Sequence, residues 1–203
     1  MAAKSNLLNM TLVLFGTCLV CSAILGVVNE VTREPIAAAA AAEARAAIAE
    51  VLPEGGEISE AKTAEIEGVN YEYYEEYGGG QTVGYAVKSS TAGFGGTLSL
   101  MVGVLPDGTI FNTKVLSHSE TPGLGAKAAF WFQKGEKGDI IGKNPGEREL
   151  TVSKDGGDVD AITASTITSR AFLRAVNTAF HAYAGASATD GQTGASPQIK
   201  NEQ

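Results

Sequence analysis

The longest uninterrupted apolar run comes first. From Leu7 to Val28 the chain reads LLNMTLVLFGTCLVCSAILGVV, without Asp, Glu, Lys or Arg. At about 1.5 Å per helical residue it reaches about 30 Å, the thickness of a bilayer's hydrocarbon core. The apolar core of a cleaved signal peptide is shorter, about 7–15 residues, so the pattern predicts a retained transmembrane anchor over 7–28. Lys4 and the α-amino group precede the span, and Glu30, Arg33 and Glu34 follow it. The positive flank predicts a cytoplasmic tail over 1–6 and a large domain on the outer side of the membrane. Ile36 to Leu52 is rich in alanine, with Glu43, Arg45 and Glu50, a composition of high helix propensity. A helical stalk over 29–56 is expected, with Pro35 early in it and Pro53-Glu54-Gly55-Gly56 at its end.

Farther along, the period changes to two. Tyr71–Tyr77 reads as a strand, Gly78–Gln81 as a turn, and Thr82–Ser89 as the return strand, with Val83, Tyr85 and Val87 alternating. Thr97–Val104 is a second strand, and Asp107-Gly108 turns it into Thr109–Leu116. Ala126–Gln133 reads as a helix carrying Phe130, Trp131 and Phe132. Gly135–Gly146 is polar and turn-rich, Leu150–Val152 a short strand, and Asp155-Gly156-Gly157 a turn. Phe172, Val176, Ala179, Phe180 and Tyr183 then recur at helical spacing. From Gly185 the Gly/Ser/Thr/Gln composition predicts a disordered tail, 185–203. This order predicts an α+β domain over 57–184, an antiparallel sheet with helices packed on one side.

The 203 residues carry a formal net charge of -8, which excludes a nucleic-acid partner because that requires a basic footprint. Cys18 and Cys21 both lie inside the apolar span, the wrong context for a redox motif, and read as packing residues. The glycines Gly93, Gly95 and Gly96 open a strand rather than a helix, so they form no dinucleotide fingerprint. Gly125-Ala126-Lys127 lacks the rest of a phosphate-binding loop. His118 and His181 are the only histidines. No Ser-His-Asp set is legible by spacing, and His118 with Glu120 is too small a set to indicate a metal.

Two segments carry chemistry. Asp160-Ala161-Ile162-Thr163-Ala164-Ser165-Thr166-Ile167-Thr168-Ser169 concentrates hydroxyls at the start of the last helix. Small hydroxyl residues satisfy orphan N–H groups there, and the same helix end attracts phosphate. A threonine in that place can hold a phosphate or be esterified by one. Upstream, Glu120-Thr121-Pro122-Gly123-Leu124-Gly125 forms a loop in which Pro122 fixes one φ and Gly123 and Gly125 permit positive φ. Such a loop brings backbone close to a flat ligand and projects Leu124 onto a ring face.

Both segments resemble the hallmarks of the FMN-binding domain family found in the RnfG and NqrC subunits of membrane respiratory complexes. Asp160, Thr163, Thr166, Thr168 and Ser169 match the family's flavinylation motif. Ala164 stands where glycine is usual and Ser165 where alanine is usual. The loop matches the family's Glu-Thr-Pro-Gly-Leu-Gly, and Phe94–Ile110 resembles its central hairpin. The resemblance implies FMN joined to Thr166 by a phosphodiester, with Ser165 and Thr163 as chemically capable neighbours. It implies a flavin site formed by Glu120, Thr121, Leu124, Gly125, Ser165, Thr168 and Ser169; N–H or hydroxyl groups of Thr168 and Ser169 can donate to the phosphate. It further implies an electron carrier of an Rnf-type ferredoxin:NAD oxidoreductase coupled to Na⁺ or H⁺ movement. The expected partners are the other membrane subunits and a flavin transferase. An NqrC-type component of an NADH:quinone complex is one alternative. A tethered interaction module with an empty site is the other, motivated by Ala164 and Ser165.

Overall fold

The computed structural model describes residues 7–66 and 68–193. The chain divides into two compact units, Met1–Glu43 and Ala44–Gln203. Helix α1 (Leu7–Val51) begins in the first, and its last turns belong to the second.

Within the first unit α1 carries no charged residue from Leu7 to Val28. Its best 18-residue window has a mean hydropathy of 2.4 and is 0% buried, so it is long and apolar enough to cross a membrane. The hydroxyls of Thr11, Thr17 and Thr32 donate to the carbonyls of Leu7, Val13 and Val28, one turn back, so each is satisfied within the helix. The expected anchor and stalk are a single helix with Pro35 inside it. An interior proline removes one ladder hydrogen bond and costs about 3 kcal/mol; the alanine-rich turns on its C-terminal side are strong helix formers that offset part of this.

The second unit is built on an antiparallel sheet. Its strands are β1 (Glu57–Ile58), β2 (Lys62–Ile66), β3 (Val69–Gly78), β4 (Gln81–Ala92), β5 (Thr97–Val104) and β6 (Ile110–Ser117). The order is β1-β3-β4-β5-β6, with β2 also paired to β3. Register is fixed by pairs such as Tyr73 with Val87 and Ser89 with Leu100. Period-two alternation then sorts the side chains. Tyr85, Val87, Leu98, Leu100, Val102 and Val104 form one buried face with Phe172, Leu173, Val176, Ala179 and Tyr183 of α3 (Thr166–Thr193). Phe132 stacks on Phe172 with centroids 4.2 Å apart.

The opposite face is covered as well, contrary to the expectation of helices on one side. Ala86 and Met101 pack against Ala47, Ile48, Val51 and Leu52 from the end of α1. Gly103 makes this contact possible: a Cβ there would lie 1.7 Å from the carbonyl oxygen of Val51.

Other differences have local causes. The Ala126–Gln133 segment is a 3-10 turn (Gly125–Lys127) followed by the short helix α2 (Ala128–Trp131). Phe132 is buried but Phe130 is exposed, so the aromatic run does not act as one packing unit. Leu150–Val152 makes one bridge, Val152 with Val159, rather than a strand. Its backbone is held by the buried Asn177 amide, which accepts from Leu150 N–H at 3.1 Å and donates to the Leu150 carbonyl at 3.0 Å. Helix α3 continues past Gly185 to Thr193; Ala186 is still buried on the core, which gives the helix a reason to continue. The rest of the tail expected to be disordered, 194–203, lies outside the described residues.

Candidate functional site

Three segments meet at the N-terminal end of α3: the tight turn between β4 and β5, the Glu120–Gly125 loop, and the hydroxyl-rich start of the helix. The turn is closed by Gly93 N–H donating to the Gly96 carbonyl at 2.8 Å. Between the segments lies a cavity of about 300 Å³, at the lower end of the range for small-molecule sites. The loop contributes Glu120, Thr121, Leu124 and Gly125 to its lining, the helix start Ala164 to Thr168, and the turn Phe94.

Glu120 joins the three segments. Its side chain is 5% exposed. Oε1 accepts from the N–H of Phe94 at 2.8 Å and of Gly95 at 3.3 Å, and Oε2 accepts from the Thr168 hydroxyl at 2.7 Å. Three donors satisfy a buried carboxylate that would otherwise be costly to desolvate. His118 Nδ1 accepts from the Glu120 N–H at 3.2 Å, so this histidine braces its own loop.

Glycine is required around that carboxylate by proximity. A Cβ on Gly93 would lie 2.1 Å from Glu120 Oε1, one on Gly125 2.5 Å from Oε2, and one on Gly95 2.0 Å from the Ser119 carbonyl oxygen. The expected positive φ is found at Gly123 (75°) but not at Gly125, whose role is close approach.

The helix start is shaped by its own hydroxyls. Ser165 N–H donates to the Ile162 carbonyl, and the Ser165 carbonyl accepts the first helical bond, from Ser169 N–H at 3.0 Å. The Ser169 hydroxyl is fully buried, donates to the Ser165 carbonyl and accepts from Ile162 N–H at 2.9 Å. Of the N–H and hydroxyl groups expected to donate to a phosphate, the Thr168 hydroxyl is committed to Glu120, and the Ser169 hydroxyl and N–H to the cap. Thr168 still lines the cavity; Ser169 stands behind it. Ala164 sits at φ 62°, the left-handed region. A non-glycine residue is strained there, which accounts for glycine being usual at this place in the motif. Thr163 is exposed and outside the lining, whereas Thr166, the first residue of α3, is half-buried and within it.

Three lining or neighbouring residues escape sequence reasoning. Phe94 and Ile167 are 67% and 53% exposed and, with the 42% exposed Leu124, give the cavity an apolar rim. A bulky aromatic inside a glycine turn, with no place in the core, is the signal that could have found Phe94. The third is Lys154, whose Nζ donates to Thr166 Oγ1 at 3.3 Å. Its turn, Ser153–Asp155, is held to α3 by a forked pair in which Arg170 Nε and one terminal nitrogen each lie 2.7 Å from an oxygen of Asp155. Arg170 holds the Asp155 carboxyl below the usual carboxylate range, and Asp155 raises the guanidinium in return. Asp160 braces the same region: its carbonyl accepts from Trp131 Nε1–H at 2.8 Å and its carboxylate from the Ser153 hydroxyl at 3.1 Å.

Apolar side chains around a shallow cavity suit the face of a flat aromatic ring. A hydroxyl at a helix N-terminus with an ammonium beside it suits a phosphate ester. The residues present therefore fit a flavin mononucleotide. Residues 93–181 match the family model for the FMN-binding domain. The chain is 35% identical over 185 residues to the G subunit of an ion-translocating oxidoreductase complex of Cereibacter sphaeroides, covering 86% of this chain and 83% of that one. It is 31% identical over 189 residues to the G subunit of the Na(+)-translocating ferredoxin:NAD(+) oxidoreductase complex of Acetobacterium woodii, covering 85% and 89%. Among solved structures, the C subunit of the Na(+)-translocating NADH-quinone reductase of Parabacteroides distasonis superposes with a TM-score of 0.44 at 24% identity, over 64% of this chain and 78% of that one.

Proposed function

Since this chain belongs to the family of G subunits of ion-translocating oxidoreductase complexes, we propose that it is a membrane-anchored flavoprotein electron carrier of an Rnf-type complex. In this reading it carries FMN covalently, through a phosphodiester to the Thr166 hydroxyl, and serves electron flow between ferredoxin and NAD coupled to Na⁺ or H⁺ translocation. The observation that carries the assignment is the position of Thr166: the first residue of α3, half-buried, on the wall of a cavity with an apolar rim.

Bound FMN would supply the redox chemistry. The chain supplies placement. Phe94, Leu124 and Ile167 offer apolar contact to a ring, and Glu120 holds the two loops and the helix at a fixed separation. Thr121, Gly125, Ser165 and Thr168 complete the wall. Ser169 acts from behind by locking the helix start. Electron transfer needs no acid–base set, and a covalent tether prevents loss of the cofactor into an open compartment. The remaining subunits of the complex are the partners, and a flavin transferase the maturation factor. The anchor lies in the bacterial inner membrane with the FMN domain on the outer side, as the flanking charges favour.

The test is denaturing electrophoresis of the full chain co-expressed with a flavin transferase. A fluorescent band that survives SDS in the wild type and disappears in Thr166→Ala is expected. A dark wild-type band under those conditions would favour an empty interaction module instead.

A further inference from the structure

Resting on the reading of Thr166 as the esterified residue, we propose that Lys154 is the counter-charge of the phosphoryl group at Thr166. It receives the anion while the ester forms and pairs with the phosphodiester afterwards.

Three observations carry this. The first is contact: Lys154 Nζ lies 3.3 Å from Thr166 Oγ1. Among the described residues no carboxylate oxygen lies within 4 Å of it; its charge is felt at longer range by Asp155, which is itself forked onto Arg170. The second is delivery. Lys154 occupies a 3-10 turn whose next residue, Asp155, is forked onto Arg170. Arg170 is four residues beyond Thr166 and so lies on the same helix face, one turn along. The turn is closed on itself by Ser153 N–H to the Val159 carbonyl, Asp155 N–H to the Val152 carbonyl and Gly157 N–H to the Val152 carbonyl, at 2.8, 2.8 and 3.1 Å. Gly157 fits only as glycine, since its Cβ would lie 2.0 Å from the Thr151 carbonyl oxygen. Arg170 is spent on Asp155, leaving Lys154 as the cation facing the acceptor hydroxyl. The third is need. The protein carries a net charge of -8, and an anionic phosphoryl donor approaching Thr166 is repelled by that charge.

The step balances with a diphosphate-activated FMN, a flavin dinucleotide, as donor. The Thr166 Oγ–P bond forms and the P–O bond to the leaving mononucleotide phosphate breaks. The hydroxyl proton passes to a base of the transferase, and no electron is exchanged. Lys154 touches the oxygen and positions charge; it takes no proton in this step. A helix N-terminus adds partial positive charge, but a full charge within hydrogen-bond reach dominates it.

The experiment compares wild type, Lys154→Met and Lys154→Arg as full chains in detergent. Each is incubated with flavin dinucleotide and transferase, and adduct formation is followed by intact mass. Lys154 is exposed, so the variants should retain the wild-type melting midpoint. Lys154→Met is expected to load about tenfold or more slowly, and Lys154→Arg within about threefold of wild type. A second readout is amine labelling: after loading, the Lys154 amine should be protected from an amine-reactive reagent several-fold more than in Thr166→Ala treated identically. Equal loading rates in wild type and Lys154→Met, with the adduct on Thr166 and no protection of Lys154, would overturn the counter-charge and leave the flavin assignment standing. Absence of the adduct from wild type, or its presence on another residue, would overturn both.

Discussion

The Thr168 hydroxyl donates to the carboxylate of Glu120 at 2.7 Å, joining two residues 48 positions apart in a fully buried bond. The other oxygen of that carboxylate receives two backbone N–H groups from the β4–β5 turn. One side chain therefore sets the separation of all three walls of the cavity.

Replacing Glu120 should show this. Glu120→Ala strands buried donors, and each unsatisfied group costs about 1–3 kcal/mol. Glu120→Gln should cost less, because the amide oxygen can keep the backbone donors while its NH₂ turns to the Thr168 oxygen. Urea denaturation should rank wild type above Gln and Gln above Ala. An alanine variant as stable as wild type would remove Glu120 from its joining role.

Two glycines of one loop should respond differently to a methyl group. Gly125→Ala pushes a Cβ to 2.5 Å from Glu120 Oε2 and 2.8 Å from Thr168 Oγ1. Overpacking of this kind costs about 1–3 kcal/mol and should also lower flavin loading. Gly123→Ala meets nothing within 4 Å and carries only the strain of φ 75°, about 1 kcal/mol. Melting midpoints and loaded fraction, measured together, separate the two cases.

Ala164 occupies a backbone conformation that favours glycine. Ala164→Gly should therefore stabilise the domain by up to about 1 kcal/mol, part of the gain being offset by the greater freedom of glycine in the unfolded chain. Chemical denaturation of the two proteins side by side is the check, and a destabilised glycine variant would contradict the strain.

Asp155 ties pH to the placement of Lys154. Arg170 depresses the folded-state pKa of Asp155 below its ordinary 3.8. A depressed carboxyl contributes stability that is present above the unfolded pKa and lost as pH falls through the folded one. The fork should thus persist through mildly acidic solution and open only in strong acid. In Arg170→Met the Asp155 carboxyl, followed by NMR titration, should move up toward 3.8. An unmoved midpoint would mean that the pair does not form in solution.

The hairpin of β5 and β6 is legible in the sequence because its alternation is regular and Asp107-Gly108 marks the turn. Strand β2 is not, since its five residues, KTAEI, show no clear alternation and form a strand only by pairing with β3. The last helix outruns its compositional signal because Ala186, beyond Gly185, still finds the core. At the site, the two motif segments are readable as local chemistry: a hydroxyl-rich helix start and a Pro-Gly loop. What each hydroxyl does is not. Thr168 and Ser169 look equally available on paper, and only the folded chain commits one to Glu120 and the other to the Ser165 carbonyl. Lys154 is hidden for the same reason, being one of many surface lysines until the Asp155–Arg170 fork brings it to Thr166.

Gly103 and Val51 carry a practical lesson for anyone dissecting the molecule. The stretch from Ala44 to Leu52 supplies the lining that keeps Ala86 and Met101 dry, so it is a structural plug for the sheet as much as the tip of a helix. A soluble fragment trimmed back to Pro53 would bare that greasy underside to solvent and to its own copies. A cut made ahead of Ala44 leaves the domain with its lid on.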